Sequence, residues 1–191
     1  PLYNRSSVYD ALGLSVEGEI AQEDVYAAAQ YYVEQLNLLA GELSRDGKGN
    51  VVAPYSFEET AKRINAEFGR YGNYFAGYGI RPKAVALSVP MSYLGITGIY
   101  FPFYAEANVN TNIPGYVLPV TMAHEMTHAK GVSRENEANV TAYALCIRSQ
   151  DDYLRYSGLM SAVSVTLNAL SEENFEVLYE CLLPEIKQEY R

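Results

Sequence analysis

Apolar residues recur at helical spacing between Gln22 and Leu43. Val25, Ala28, Ala29, Tyr32, Val33, Leu36, Leu39 and Leu43 fall on one face and predict a helix over 22–43. The polar cluster 44–50, with Gly47 and Gly49, ends it. A second helix is expected from Ser56 as N-cap to about Tyr71, with Glu58 and Glu59 in its first turn. Gly72 and Gly77 break that pattern. Before these helices, residues 1–20 are mixed and read as an irregular lead-in.

The period then changes. Ala84-Val85-Ala86-Leu87-Ser88-Val89, between Pro82 and Pro90, predicts a strand. Residues 93–118 are rich in Tyr, Ile, Phe and Val, with Gly95, Gly98, Pro102, Pro114 and Gly115 as punctuation, and predict short antiparallel strands and turns. Asn108 to Asn112 alternates poorly before Pro114 and suits an edge strand or loop. From Pro119 the chain reads as helical. Helices are expected over about 120–130, with Gly131 as C′ residue, and about 134–149, capped by Ser133. A short helix over 151–156 ending at Gly158 follows, then helices over 159–170 and 172–182. Pro184 opens a final exposed turn or two. The order implies one α+β domain over 1–191: N-terminal helices to about residue 75, a small antiparallel sheet over 83–118, then helices to the end.

Composition narrows the function. Hydrophobic residues make up 49% of 191, so the chain can bury a substantial core. The formal charge is −9, with no basic run to neutralise phosphates, which argues against nucleic acid. An anionic membrane surface is a poor partner for the same reason. No segment approaches a membrane span, and Pro-Leu-Tyr-Asn-Arg-Ser lacks the apolar region of a signal peptide. The two cysteines, Cys146 and Cys181, lie in apolar helical contexts and read as buried free thiols, with a single disulfide between them as the alternative.

The chemistry concentrates at His124-Glu125-Met126-Thr127-His128. Residues at i and i+4 stack on one helix face, so two imidazoles can reach one ion, for which Zn²⁺ is the natural candidate. Glu125 would sit beside the metal as general base. Val120, Ala123, Met126 and Thr127 can supply the buried side. The chain's only two histidines are both in the motif. A third ligand is needed, and with no further histidine it should be a carboxylate. Glu135 and Glu137 compete, about 200° apart around the next helix, so only one can face the metal.

The segment Glu135-x-x-Ala138-Asn139 resembles the E-x-x-[AS]-[DN] motif of gluzincin metallopeptidases, such as thermolysin-like enzymes and CAAX-prenyl endopeptidases. The resemblance implies a zincin-like fold, Glu135 as third zinc ligand, and Asn139 behind His124, orienting its ring. Only six residues separate His128 from Glu135, shorter than in most of those families, so Gly131 must turn the chain at once. The stretch from His124 to Gly158 is also similar to an uncharacterised bacterial family of membrane-anchored proteins. That implies a soluble domain of a longer membrane protein, on the extracytoplasmic side.

The expectation is therefore a zinc-dependent endopeptidase acting on a peptide or protein substrate. An oxyanion donor should come from Tyr143, Tyr153, Arg155 or Tyr156, with Tyr156 the first choice. A substrate strand could pair with an edge near 107–112. The rivals are a catalytically silent zincin-fold binding or signalling module, and a metal-free structural domain in which His124, His128 and Glu135 diverge.

Overall fold

A computed structural model of the protein describes residues 7–15, 18–75 and 77–190. The lead-in expected to be irregular contains a short helix, α1 (Val8–Leu12). Ser7 caps it by accepting from the Tyr9 amide, and Val8 and Leu12 are buried. Residues 1–6, 16 and 17, also in that lead-in, lie outside the described residues. Helix α2 (Gln22–Ala40) turns Ala29, Val33, Leu36 and Leu39 inward, as its periodicity requires. It ends three residues early, at Gly41, before the polar loop. Helix α3 (Phe57–Gly69) begins where expected: Ser56 Oγ accepts from the Glu59 amide at 3.2 Å.

The sheet departs from expectation in three ways. Of the predicted strand only Ala84 is extended, in β1 (Lys83–Ala84), and Ser88–Tyr93 forms helix α4. Ser88 drives the change: its hydroxyl donates to Val85 O at 2.6 Å and accepts from the Thr111 amide at 2.9 Å. Pro90 sits in the first turn of α4, where its missing N–H costs nothing. Second, the sheet is mixed. β2 (Gly98–Phe101) and β3 (Glu106–Val109) are antiparallel, but β1 runs parallel to β3. Third, β3 is the central strand, order β1-β3-β2, so the stretch 107–112 offers no free edge for a substrate. Asn110 follows it inward, fully buried, donating to Ile96 O at 2.8 Å.

After the sheet come α5 (Leu118–Ala129), α6 (Glu135–Ile147), α7 (Asp152–Asn168), α8 (Glu172–Glu180) and α9 (Pro184–Tyr190). The break predicted at Gly158 is absent, and one continuous helix α7 runs through it. The glycine serves a close crossing instead. A Cβ there would lie 2.7 Å from Cys146 Cβ and from the Ile147 amide nitrogen of α6. Ser133 is not the cap of α6: Arg134 holds that position without a side-chain bond. The terminal helix is not simply exposed either, since Ile186 and Glu189 are buried. Both cysteines are free, Cys146 buried and Cys181 exposed.

Helix α7 packs between α2 and α6, and α6 packs on α5, forming a helical layer. The sheet covers α5 from the other side through β2 and β3. The fold is thus mostly helical, with a small sheet preceding and covering the helix that carries the two histidines. Among the described residues no helix is long and apolar enough to cross a membrane.

Candidate metal centre

Helix α5 is anchored before it presents any chemistry. Its first turn has no side-chain cap of its own, and Ser157 Oγ on α7 accepts from the Val120 amide at 3.0 Å. Met122, Ala123, Met126 and Thr127 are fully buried. That fixes the rotation of the helix and points His124, Glu125 and His128 toward the sheet side. Val120, expected on the buried side, is partly buried against the core and also lines the cleft.

The two imidazoles meet. His124 Nε2 and His128 Nε2 are 3.0 Å apart. Helix α6 brings Glu135 to the same point: Oε2 is 3.2 Å from His124 Nε2, and Oε1 is 3.3 Å from His128 Nε2. The three donor groups converge within 4.8 Å of one another. Glu137 turns away and pairs with Arg134 at 3.2 Å. Of the two competing carboxylates, Glu135 is the one that joins the histidines.

The rings are held in the form a metal needs. His128 Nδ1 lies 2.7 Å from Val132 O, a pure acceptor, so Nδ1 carries a proton and Nε2 is the nitrogen left to face a ligand. Tyr100 of β2 stacks on the His128 ring, centroids 5.7 Å apart. Asn139 hydrogen-bonds to the His124 side chain. Burial, and then the neighbouring His128, hold His124 below the ordinary histidine range, so its neutral form is favoured. A cation placed between the two imidazole nitrogens and the carboxylate would be met by all three donor groups at once. The donor set therefore fits a metal ion, and its chemistry suits a borderline cation.

Glu125 lies beside this group and not in it. Its Oε2 is buried without a hydrogen-bond partner. Burial, and then the charge of Glu135, push its carboxyl up to about 7. Strand β2 leaves room for it only because residue 98 is glycine: a Cβ there would lie 2.5 Å from Glu125 Oε1. These residues line a cleft of about 680 Å³ between β2 and the helices, with Tyr143, Ser133, Asn139 and Ser161 on its far wall.

The other predicted donors are elsewhere. Tyr156 is fully buried away from the cleft, donating to Glu189 Oε2 at 2.7 Å and accepting from Arg45 at 2.9 Å. Tyr153 donates to Gly115 O at 2.6 Å, and Arg155 pairs with Asp152. Only Tyr143 of the four reaches the cleft. Gly98, Tyr100 and Val132 went unrecognised in the sequence. Alternation along β2 puts Gly98 and Tyr100 on one face, but nothing local says that this face meets α5. Val132 acts through its carbonyl, which leaves no signal in residue type.

The fold and site define a mostly helical protein with a candidate His-His-Glu metal-binding group under a small mixed sheet. The chain belongs to the family described as protein of unknown function DUF3810, whose model matches residues 2–191. No curated protein and no solved structure matches it.

Proposed function

We propose that this protein is a zinc-dependent peptidase in which His124, His128 and Glu135 hold the ion. The observation that carries the reading is the pairing of that donor set with Glu125, a buried carboxylate whose Oε2 has no other partner. A bound zinc ion supplies Lewis-acid polarisation of a carbonyl and acidifies water. Glu125, beside the ion and not bound to it, then takes the proton of the attacking water and delivers it to the leaving amine. Asn139 and the Val132 carbonyl hold the two rings in place. Tyr143 replaces Tyr156 as the proposed donor to the developing oxyanion. Burial raises its hydroxyl above the ordinary tyrosine range, which keeps it protonated.

The test compares wild type with Glu125→Gln, both loaded with zinc, on a quenched-fluorescent peptide library. Equal zinc content with a loss of cleavage of about 10²–10⁴-fold in the variant is expected for removal of a general base. Wild type that binds one zinc per chain yet cleaves no better than the variant would overturn the reading. That result would favour a silent binding module.

A further inference from the structure

From Ala84 to Ala105 the chain carries no Asp, Glu, Lys, Arg or His over 22 residues, in a protein with net charge −9. The stretch is not a buried core. Eight of the fifteen exposed large hydrophobic residues among the described positions fall within it. Tyr93 and Leu94 end α4 with 89% and 74% of their surface in water. Phe103 and Tyr104, in the turn between β2 and β3, are 86% and 74% exposed. Phe101 joins them through ring contacts, 5.7 Å to Phe103 and 5.6 Å to Tyr104. Ala105 closes the turn at φ +52°, a left-handed conformation rare for a residue with a Cβ. The nearest charges, Lys83 and Glu106, neutralise each other in an ion pair.

We propose that this stretch inserts into the interface of a lipid bilayer, with the Phe101, Phe103 and Tyr104 cluster of the β2–β3 turn as its anchor. Three observations choose a bilayer over a protein partner. Side chains this exposed stand clear of the surface, and a fluid phase accepts such protrusions where a folded partner needs matching pockets. Exposed Phe and Tyr beside exposed Leu and Ile are the residues that favour the membrane–water boundary. The acidic charge lies outside the stretch, which is neutral and so suits a zwitterionic surface and gains nothing from an anionic one. Gly95, Ile96, Ile99 and Pro102 of the same stretch line the cleft, so docking would set its mouth against the membrane. The proposal does not depend on hydrolysis.

The chain lacks Trp, so a single introduced indole reports cleanly. Phe103→Trp is mixed with phosphatidylcholine vesicles free of anionic lipid, with Leu38→Trp on exposed α2 as control. A blue-shifted emission for the first alone is expected. Flotation with the same vesicles should recover the unaltered chain, insensitive to 0.5 M salt. Phe103→Ser with Tyr104→Ser should cut partitioning at least about tenfold, as losing a buried aromatic side chain requires. Unchanged melting temperatures would show that the serine variant folds. Absence of the unaltered chain from the floated fraction overturns the proposal. So does an unshifted Phe103→Trp emission, or light scattering that shows a dimer dissolved by the serine substitutions.

Discussion

His128 Nδ1 is bonded to the carbonyl of Val132, four residues further along the chain, at 2.7 Å. The same turn that ends α5 therefore orients the ring. Gly131 makes it feasible at φ +99°, donating to His128 O at 2.9 Å while Val132 N reaches Thr127 O at 3.3 Å. Replacing Gly131 with Val forces a branched side chain into that region. The expected cost is about 1–2 kcal/mol of stability. A loss of about 10–100-fold in zinc affinity should follow as the Val132 carbonyl swings away. Denaturant melts and a competition titration against a chromogenic chelator measure the two. Lost stability with unchanged affinity would show that the carbonyl does not position the ring.

The choice between Glu135 and Glu137 gives a sharper test. Glu135→Gln should lower metal affinity by more than the roughly 10–100-fold expected for Asn139→Ala, which acts only through His124. Glu137→Gln should leave affinity alone, because Glu137 pairs with Arg134 at 3.2 Å. Chelation of the wild type should lower its melting temperature without unfolding it. Metal at 100 times its Kd adds only about 2.7 kcal/mol, and the hydrophobic core is assembled without it.

What the sequence revealed follows from which forces are local. The ligand pair was legible because i, i+4 geometry belongs to any helix. Ser56 was legible as a cap because its bond spans three residues. The fate of Val85 to Pro90 was not, since a short apolar run suits either period. There Thr111, 23 residues away, decides by bonding to Ser88. Gly158 misled for a related reason. A glycine in a helical pattern reads as a break, and only the crossing of α6 shows that space was needed. Tyr156 follows the motif in sequence, but that position says nothing about the side of α7 it occupies.

Tyr156 instead belongs to a buried network. Glu189 accepts from Tyr156, from the Val51 amide at 2.6 Å, and pairs with Arg45 at 3.2 Å. The network ties α9 to α7 and to the loop around Val51. Glu189→Ala strands the Arg45 guanidinium and should cost about 3–5 kcal/mol. Tyr156→Phe removes a neutral donor and should cost about 1–3 kcal/mol. Chemical denaturation checks both, and zinc binding by Tyr156→Phe should equal that of wild type. Full stability of that variant with a loss of turnover would restore the catalytic assignment.

Gly158→Ala sets two effects against each other. Alanine favours a helix interior over glycine by about 1 kcal/mol. At this site the added Cβ would lie 2.7 Å from the Ile147 nitrogen and 3.0 Å from the Cys146 carbonyl carbon. Those are backbone atoms, which cannot rotate aside as a flexible side chain can. Overpacking of this kind costs about 1–3 kcal/mol, so the net effect should be destabilising. Helix α6 must move outward, and it carries Glu135 and Asn139. Zinc affinity should therefore fall together with melting temperature. Cys146 supplies an independent readout. Its thiol is fully buried, and burial raises it far above the ordinary cysteine range, so it should resist alkylation in the native protein. Exposed Cys181 should label readily. In Gly158→Ala the labelling of Cys146 should accelerate while that of Cys181 stays constant. A variant that melts higher, with Cys146 still protected, would show that α6 and α7 have room for the methyl group.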